Sequence, residues 1–179
     1  MNVIYLDNNA TTKVDEEVFQ EMQPYFTRLY GNPSSMHTFG GQVKNKVKEA
    51  REKVADLLGC DPSEIIFTSC GTESDNAAIR STLAANPHKR KIITSRVEHP
   101  AVLTVCRELE NQGYEVAEID VDSKGRIDMD EYEKELNEDT AIVSVMWANN
   151  ETGTIFPVEK MAKMAKAKGA VFHTDAVQA

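Results

Sequence analysis

From Ile92 to Phe172 the chain alternates short apolar runs with longer helical patterns, and this alternation leaves few folds open. The runs are Ile92-Ile93, Val116-Ala117-Glu118-Ile119, Ile142-Val143-Ser144-Val145-Met146 and Val171-Phe172. Helical patterns lie between them, from about Pro100 to Asn111, from Asp130 to Leu136, and from Pro157 to Lys168. An earlier run, Ile65-Ile66-Phe67, followed by a helix from about Thr72, extends the series. Repeated β-α-β units place their strands side by side in the same direction, with the crossover helices packed on the sheet. The predicted fold class is therefore α/β: a three-layer, mainly parallel sheet covered by helices. Pro157 at a first helical position and Gly169 just past the end fit the usual asymmetry of helix termini.

Upstream, Tyr5-Leu6-Asp7-Asn8-Asn9-Ala10-Thr11-Thr12 is rich in turn formers and reads as an ordered arm. Asp15 caps a helix whose Val18, Phe19, Met22 and Phe26 share a face, with Pro24 marking a kink. Tyr30-Gly31-Asn32-Pro33-Ser34-Ser35 is a dense turn cluster, read either as a functional loop or as a plain surface turn. From Gly41 to Gly59 the positions Val43, Val47, Ala50, Val54, Leu57 and Leu58 keep helical spacing, and Gly59 ends the helix. Asp122-Ser123-Lys124-Gly125-Arg126 is a turn inside a domain, and no internal repeat is present.

The 179 residues suffice for one substantial domain. A net charge of -9, from 29 acidic against 20 basic side chains, disfavours nucleic acid as a partner. No run approaches the apolar length needed to span a bilayer. Met1 to Asp7 has neither the basic start nor the apolar centre of a secretory signal, so a cytoplasmic location without membrane association is expected. Cys60, Cys70 and Cys106 make neither a disulfide framework nor a metal pattern, and small apolar filler is their expected role; no metal site is expected.

Four segments carry candidate chemistry. Ser69-Cys70-Gly71-Thr72-Glu73-Ser74 lies between an apolar run and a helix, where backbone N–H groups and hydroxyls suit a phosphate. The competing reading is a capping box of Thr72 with Asp75, and Glu73 and Asp75 would repel an anion unless they point away. Glu98-His99-Pro100 follows Ile92-Ile93, so His99 is placed to stack on a flat ligand or move a proton, or is simply structural. Asn149-Asn150-Glu151-Thr152-Gly153 adds amides after the third run, or is a tight loop. His173-Thr174-Asp175-Ala176-Val177-Gln178 delivers a carboxylate where open α/β sheets hold ligands. A phosphate cradle, a stacking ring, amides and a carboxylate gathered along one rim suit pyridoxal phosphate, whose ring nitrogen wants an acidic partner.

These segments, together with Tyr5 to Thr12, Gly31 to Ser35 and Trp147-Ala148, resemble those of the cysteine desulfurases, most closely the nitrogen-fixation (NifS) type. The resemblance covers the whole chain. It implies a fold-type-I, class V aminotransferase-like enzyme that uses pyridoxal 5'-phosphate to take sulfur from L-cysteine. The products are L-alanine and an enzyme persulfide, with an iron–sulfur scaffold protein as acceptor. Carried over by position, Gly71 and Thr72 hold the cofactor phosphate, and His99 stacks on the ring and assists proton transfer. Asn150 contacts the phenolic oxygen or substrate, Asp175 pairs with the ring nitrogen, and Gln178 hydrogen-bonds the phenolic oxygen. The full-length protein is expected to be a homodimer. Residues 1–14 form an arm belonging to its small domain, and 15–179 form an incomplete large domain.

The family also needs a lysine, beyond the last of these motifs, that holds the cofactor as a Schiff base, and later a nucleophilic cysteine. No lysine follows Lys168, and Cys60, Cys70 and Cys106 do not match the nucleophile. The chain is therefore expected to be the N-terminal part of a longer enzyme, inactive and marginally stable by itself. The alternatives are a selenocysteine lyase or another class V aminotransferase-like enzyme, or a non-catalytic binding or dimerisation fragment.

Overall fold

The computed structural model describes residues 3–179, so Met1 and Asn2, the first two residues of the expected arm, lie outside the described residues. The chain falls into two compact units, Met1–Phe67 and Thr68–Ala179.

The first unit carries helices α1 (Glu16–Thr27) and α2 (Thr38–Leu58), then a short 3-10 turn at Pro62–Glu64. Asp15 caps α1 through the Glu17 N–H at 2.8 Å, as its position suggested. The turn cluster Gly31 to Ser35 packs on the first turn of α2. A Cβ on Gly40 would lie 2.4 Å from the Asn32 carbonyl oxygen, so only glycine permits that approach. Gly59 ends α2 in the left-handed conformation, with φ of 68°.

Ile65-Ile66-Phe67, expected as a strand, forms none. The Ile65 N–H bonds to the Pro62 carbonyl at 3.3 Å, while the Ile65 carbonyl accepts from the Arg51 guanidinium. Arg51 also stacks on the Phe67 ring, 4.8 Å from its centroid. A turn and an arginine side chain thus take the bonds that a neighbouring strand would supply.

The second unit holds α3 (Gly71–Ala85), β1 (Lys91–Ser95), α4 (Pro100–Asn111), β2 (Glu115–Ile119), α5 (Met129–Glu135), β3 (Thr140–Ser144), α6 (Val158–Ala167) and β4 (Val171–His173). All strand pairs are parallel, in the order β2-β1-β3-β4. Neighbouring strand residues point to opposite faces and build two cores. Ile92 and Ile142 pack with Ile79, Leu83, Val102 and Leu109 of α3 and α4. Ile93 and Val143 pack with Tyr132 and Met161 of α5 and α6. The result is the expected three-layer sheet.

The layers follow from the route of the chain. It steps from β1 to β2 in one direction, then returns past β1 to β3 and β4. Right-handed crossovers put the helices of opposite steps on opposite faces, and α4 indeed lies across the sheet from α5 and α6. The reversal leaves a crevice between the carboxyl ends of β1 and β3, the place where ligands enter open α/β sheets. Pro157, expected as the first helical residue, sits one position outside α6 as its N-cap.

Candidate functional site

Each expected site residue lies at the carboxyl edge of this sheet or at the start of α3. His99 follows β1, Asn150 follows β3, and Asp175 and Gln178 follow β4. Because the three strands are parallel neighbours, their ends share one rim. Gly71 and Thr72 open α3, and a Cβ built on Gly71 would lie 3.4 Å from a Val177 methyl, which puts that helix start beside the segment after β4.

The first turn of α3 is the candidate phosphate site. Its N-cap is Cys70, whose side chain makes no full capping hydrogen bond, although its sulfur lies near the Thr72 and Glu73 N–H groups. Glu73 is drawn back onto Ser69, accepting from its N–H and its hydroxyl, both at 2.6 Å. Asp75 turns into the interior, where it is 4% exposed. The capping box of Thr72 with Asp75 is absent; Asp75 points inward, while the Glu73 carboxylate folds back over the helix start onto Ser69.

Cys70 departs from the expected role of apolar filler: it is exposed. The Glu73 N–H, the Ser69 hydroxyl and the Thr72 N–H favour its thiolate and lower its pKa. Cys106 keeps the filler role; it is buried, and desolvation pushes its thiol up to about 12.

His99 is exposed and caps α4, its Nδ1 accepting the Ala101 N–H at 3.1 Å. In the neutral ring that contact leaves the proton on Nε2, directed away from the helix. Asn150 is half-buried and donates to Glu151 at 3.0 Å. Its neighbour Asn149 organises the loop. The Asn149 amide nitrogen donates to the Val97 carbonyl at 3.0 Å, and its oxygen accepts from the Glu151 and Thr152 N–H groups at 3.0 and 2.9 Å. The Asp175 carboxylate accepts the Val177 N–H at 3.0 Å, while its carbonyl takes the Trp147 N–H at 2.9 Å, tying the end of β4 to that of β3.

Two acids and a histidine beneath this rim escaped the sequence. Glu98 is 5% exposed and accepts from the Ser95 hydroxyl at 2.5 Å. Burial outweighs these bonds and pushes its carboxyl up to about 7. Asp75 is pushed up to about 6, by burial first and then by the charge of Asp175, against the opposing effect of His99. His173 is pulled below its ordinary value by burial. The only available signal was an acidic or basic residue inside an otherwise apolar period, which does not by itself separate a solvated face from a buried one.

The aminotransferase class-V family model matches residues 4–179. A cysteine desulfurase of Nostoc sp. (strain PCC 7120 / SAG 25.82 / UTEX 2576) is 63% identical over 179 residues, which are all of this chain and 45% of that protein. Among solved structures, a NifS-like protein superposes with a TM-score of 0.94 at 46% identity, over 98% of this chain and 49% of that one. SspA, solved in complex with cysteine, superposes at 0.91 with 37% identity, over 98% of this chain and 51% of that one. The chain thus spans about half the length of the relatives it matches. With the match running over residues 4–179, the chain belongs to the aminotransferase class-V family.

Proposed function

We propose that this chain is the cofactor-cradling part of a cysteine desulfurase, which removes sulfur from L-cysteine and leaves L-alanine. The observation that carries the reading is the placement of α3, His99, Asn150 and Asp175 on one rim at the reversal of strand order, in a chain 63% identical to a protein of that activity.

The residues present fit pyridoxal phosphate. The start of α3 offers backbone N–H groups, with Asp75 turned inward and Glu73 held on Ser69. A carboxylate and an imidazole supply the contacts for a ring nitrogen and a ring face. Gly71 and Thr72 would take the phosphate, His99 would stack on the ring and assist proton transfer, Asn150 would contact the phenolic oxygen or the substrate, and Gln178 would hydrogen-bond the phenolic oxygen. Asp175 would pair with the ring nitrogen and keep it protonated. When bound, the cofactor accepts the electron pair released at the substrate carbon.

The attachment lysine and the cysteine that takes up sulfur as a persulfide belong to the rest of the longer protein. Within that protein, residues 1–14 serve as an arm to a small domain and 15–179 as part of the large one. It works as a cytoplasmic homodimer and passes sulfur to an iron–sulfur scaffold protein. Among the described residues no helix is long and apolar enough to cross a membrane.

Two measurements test the reading. The longer protein should release L-alanine from L-cysteine, and Asp175→Ala should abolish this. The 179-residue chain should give no turnover and, after borohydride reduction with pyridoxal phosphate, no single lysine carrying a pyridoxyl group in its mass spectrum. Failure of the longer protein to act on L-cysteine overturns the substrate assignment.

A further inference from the structure

Asp75 lies one turn into α3 yet faces the interior, where its side chain is 6% exposed. Its Oδ1 is 3.6 Å from His173 Nε2, beyond hydrogen-bond length but within ionic reach. On the other side of the ring, His173 Nδ1 lies 2.9 Å from the hydroxyl of Ser144, its cross-strand partner on β3. Burial favours the neutral imidazole, which has one N–H to give. A carboxylate can only accept, whereas a hydroxyl can donate. The arrangement that satisfies both neighbours puts the proton on Nε2, facing Asp75, and lets Nδ1 accept from Ser144.

His173 stands two residues before Asp175. Its carbonyl takes the Val145 N–H at 3.1 Å, next to the bond from Trp147 to Asp175. Whatever fixes the His173 ring therefore fixes the strand end from which Asp175 projects. We propose that Asp75 is a positioning residue of the cofactor site: acting through His173, it locks the end of β4 and adds its buried charge to that of Asp175 on the side assigned to the ring nitrogen.

This rests on the pyridoxal phosphate reading above and extends it to residues with no direct contact to the cofactor. The charged and titratable groups around Asp75 are Asp175 after β4, His173 on β4, His99 after β1 and Glu98 beside it. Burial and the charge of Asp175 raise the Asp75 pKa, and His99 opposes them.

The first test needs no cofactor. Nitrogen-15 NMR of histidine-labelled chain, with His173 assigned from His173→Asn, should show a neutral ring protonated on Nε2. Asp75→Asn should weaken that preference and mix the tautomers. Ser144→Ala should keep it, because Asp75 remains, and this variant decides the matter if Asp75→Asn does not fold. An Nδ1-protonated ring in the parent chain, an unchanged ring in Asp75→Asn, or a switched ring in Ser144→Ala overturns the proposal.

The second test uses the longer protein and pyridoxal phosphate. Asp75→Asn should bind it roughly tenfold more weakly, the equivalent of one pKa unit, with a melting temperature in the absence of cofactor no lower than that of the parent. Combined with Asp175→Asn, it should cost less than it does alone. Unchanged affinity, or full additivity of the two substitutions, overturns the proposal. Absence of pyridoxal phosphate binding in the unsubstituted protein would instead overturn the cofactor reading, while the NMR result on His173 still stands or falls separately.

Discussion

Both carboxylate oxygens of Glu98 accept the backbone N–H of Met146, at 3.0 and 3.1 Å, so one buried side chain joins the segment after β1 to the end of β3. These two strand ends flank the crevice where the order of the sheet reverses, with His99 on one side and Asn149 on the other.

Glu98 should make stability fall as pH rises. The folded chain holds its proton up to about pH 7, whereas an unfolded glutamate releases it near 4.5, so the folded state binds more protons in that window. Stability should drop by up to about 3 kcal/mol across it, and Asp75 adds a loss of the same sign between 3.8 and about 6. Urea denaturation at the two ends of the window checks this: Glu98→Gln should flatten the slope, and a midpoint that rises with pH would contradict the account.

Thiol chemistry should separate two cysteines sharply. Iodoacetamide should label Cys70 first, since it is exposed and its thiolate is favoured, and should spare Cys106 until the chain unfolds. Peptide mapping by mass spectrometry follows both. Pyridoxal phosphate should slow labelling at Cys70, which adjoins the proposed phosphate site.

Tyr132 is fully buried, and its hydroxyl donates to the Met161 carbonyl at 2.9 Å, linking α5 to α6. Tyr132→Phe should cost about 1 kcal/mol for the lost bond. Tyr132→Ala should cost about 3–5 kcal/mol, because it also leaves a ring-sized cavity. Equal losses in calorimetry would show that packing contributes nothing here.

Gly40→Ala pits two effects against each other. Helix propensity gains about 1 kcal/mol, but the new methyl meets the Asn32 carbonyl oxygen at 2.4 Å and the Ser35 Cβ at 2.8 Å. Overpacking against backbone costs about 1–3 kcal/mol, so the net effect should be destabilising. A raised melting temperature would refute the close approach.

The segments with a strong period were legible. Pro100 to Asn111 is helical over those residues, and the Ile92, Val116, Ile142 and Val171 runs all pair in the sheet. Ile65-Ile66-Phe67 has the same apolar character but no ladder, because a strand exists only where another backbone accepts its bonds. The site was legible as a set of strand ends; the buried groups that brace it were not. In the sequence alone Asp75 suits a cap, Glu98 is only the residue before His99, and His173 has no evident role.

The order of apolar runs and helical faces therefore determined by itself that this chain builds a parallel, helix-covered sheet, because local period and crossover geometry depend on near neighbours. Only the tertiary structure decided which acids lose their water, which cysteine stays exposed and which histidine nitrogen faces a carboxylate. Those properties depend on atoms brought together from distant parts of the chain: Asp75 and His173 are separated by nearly the whole second unit in sequence and by 3.6 Å in space.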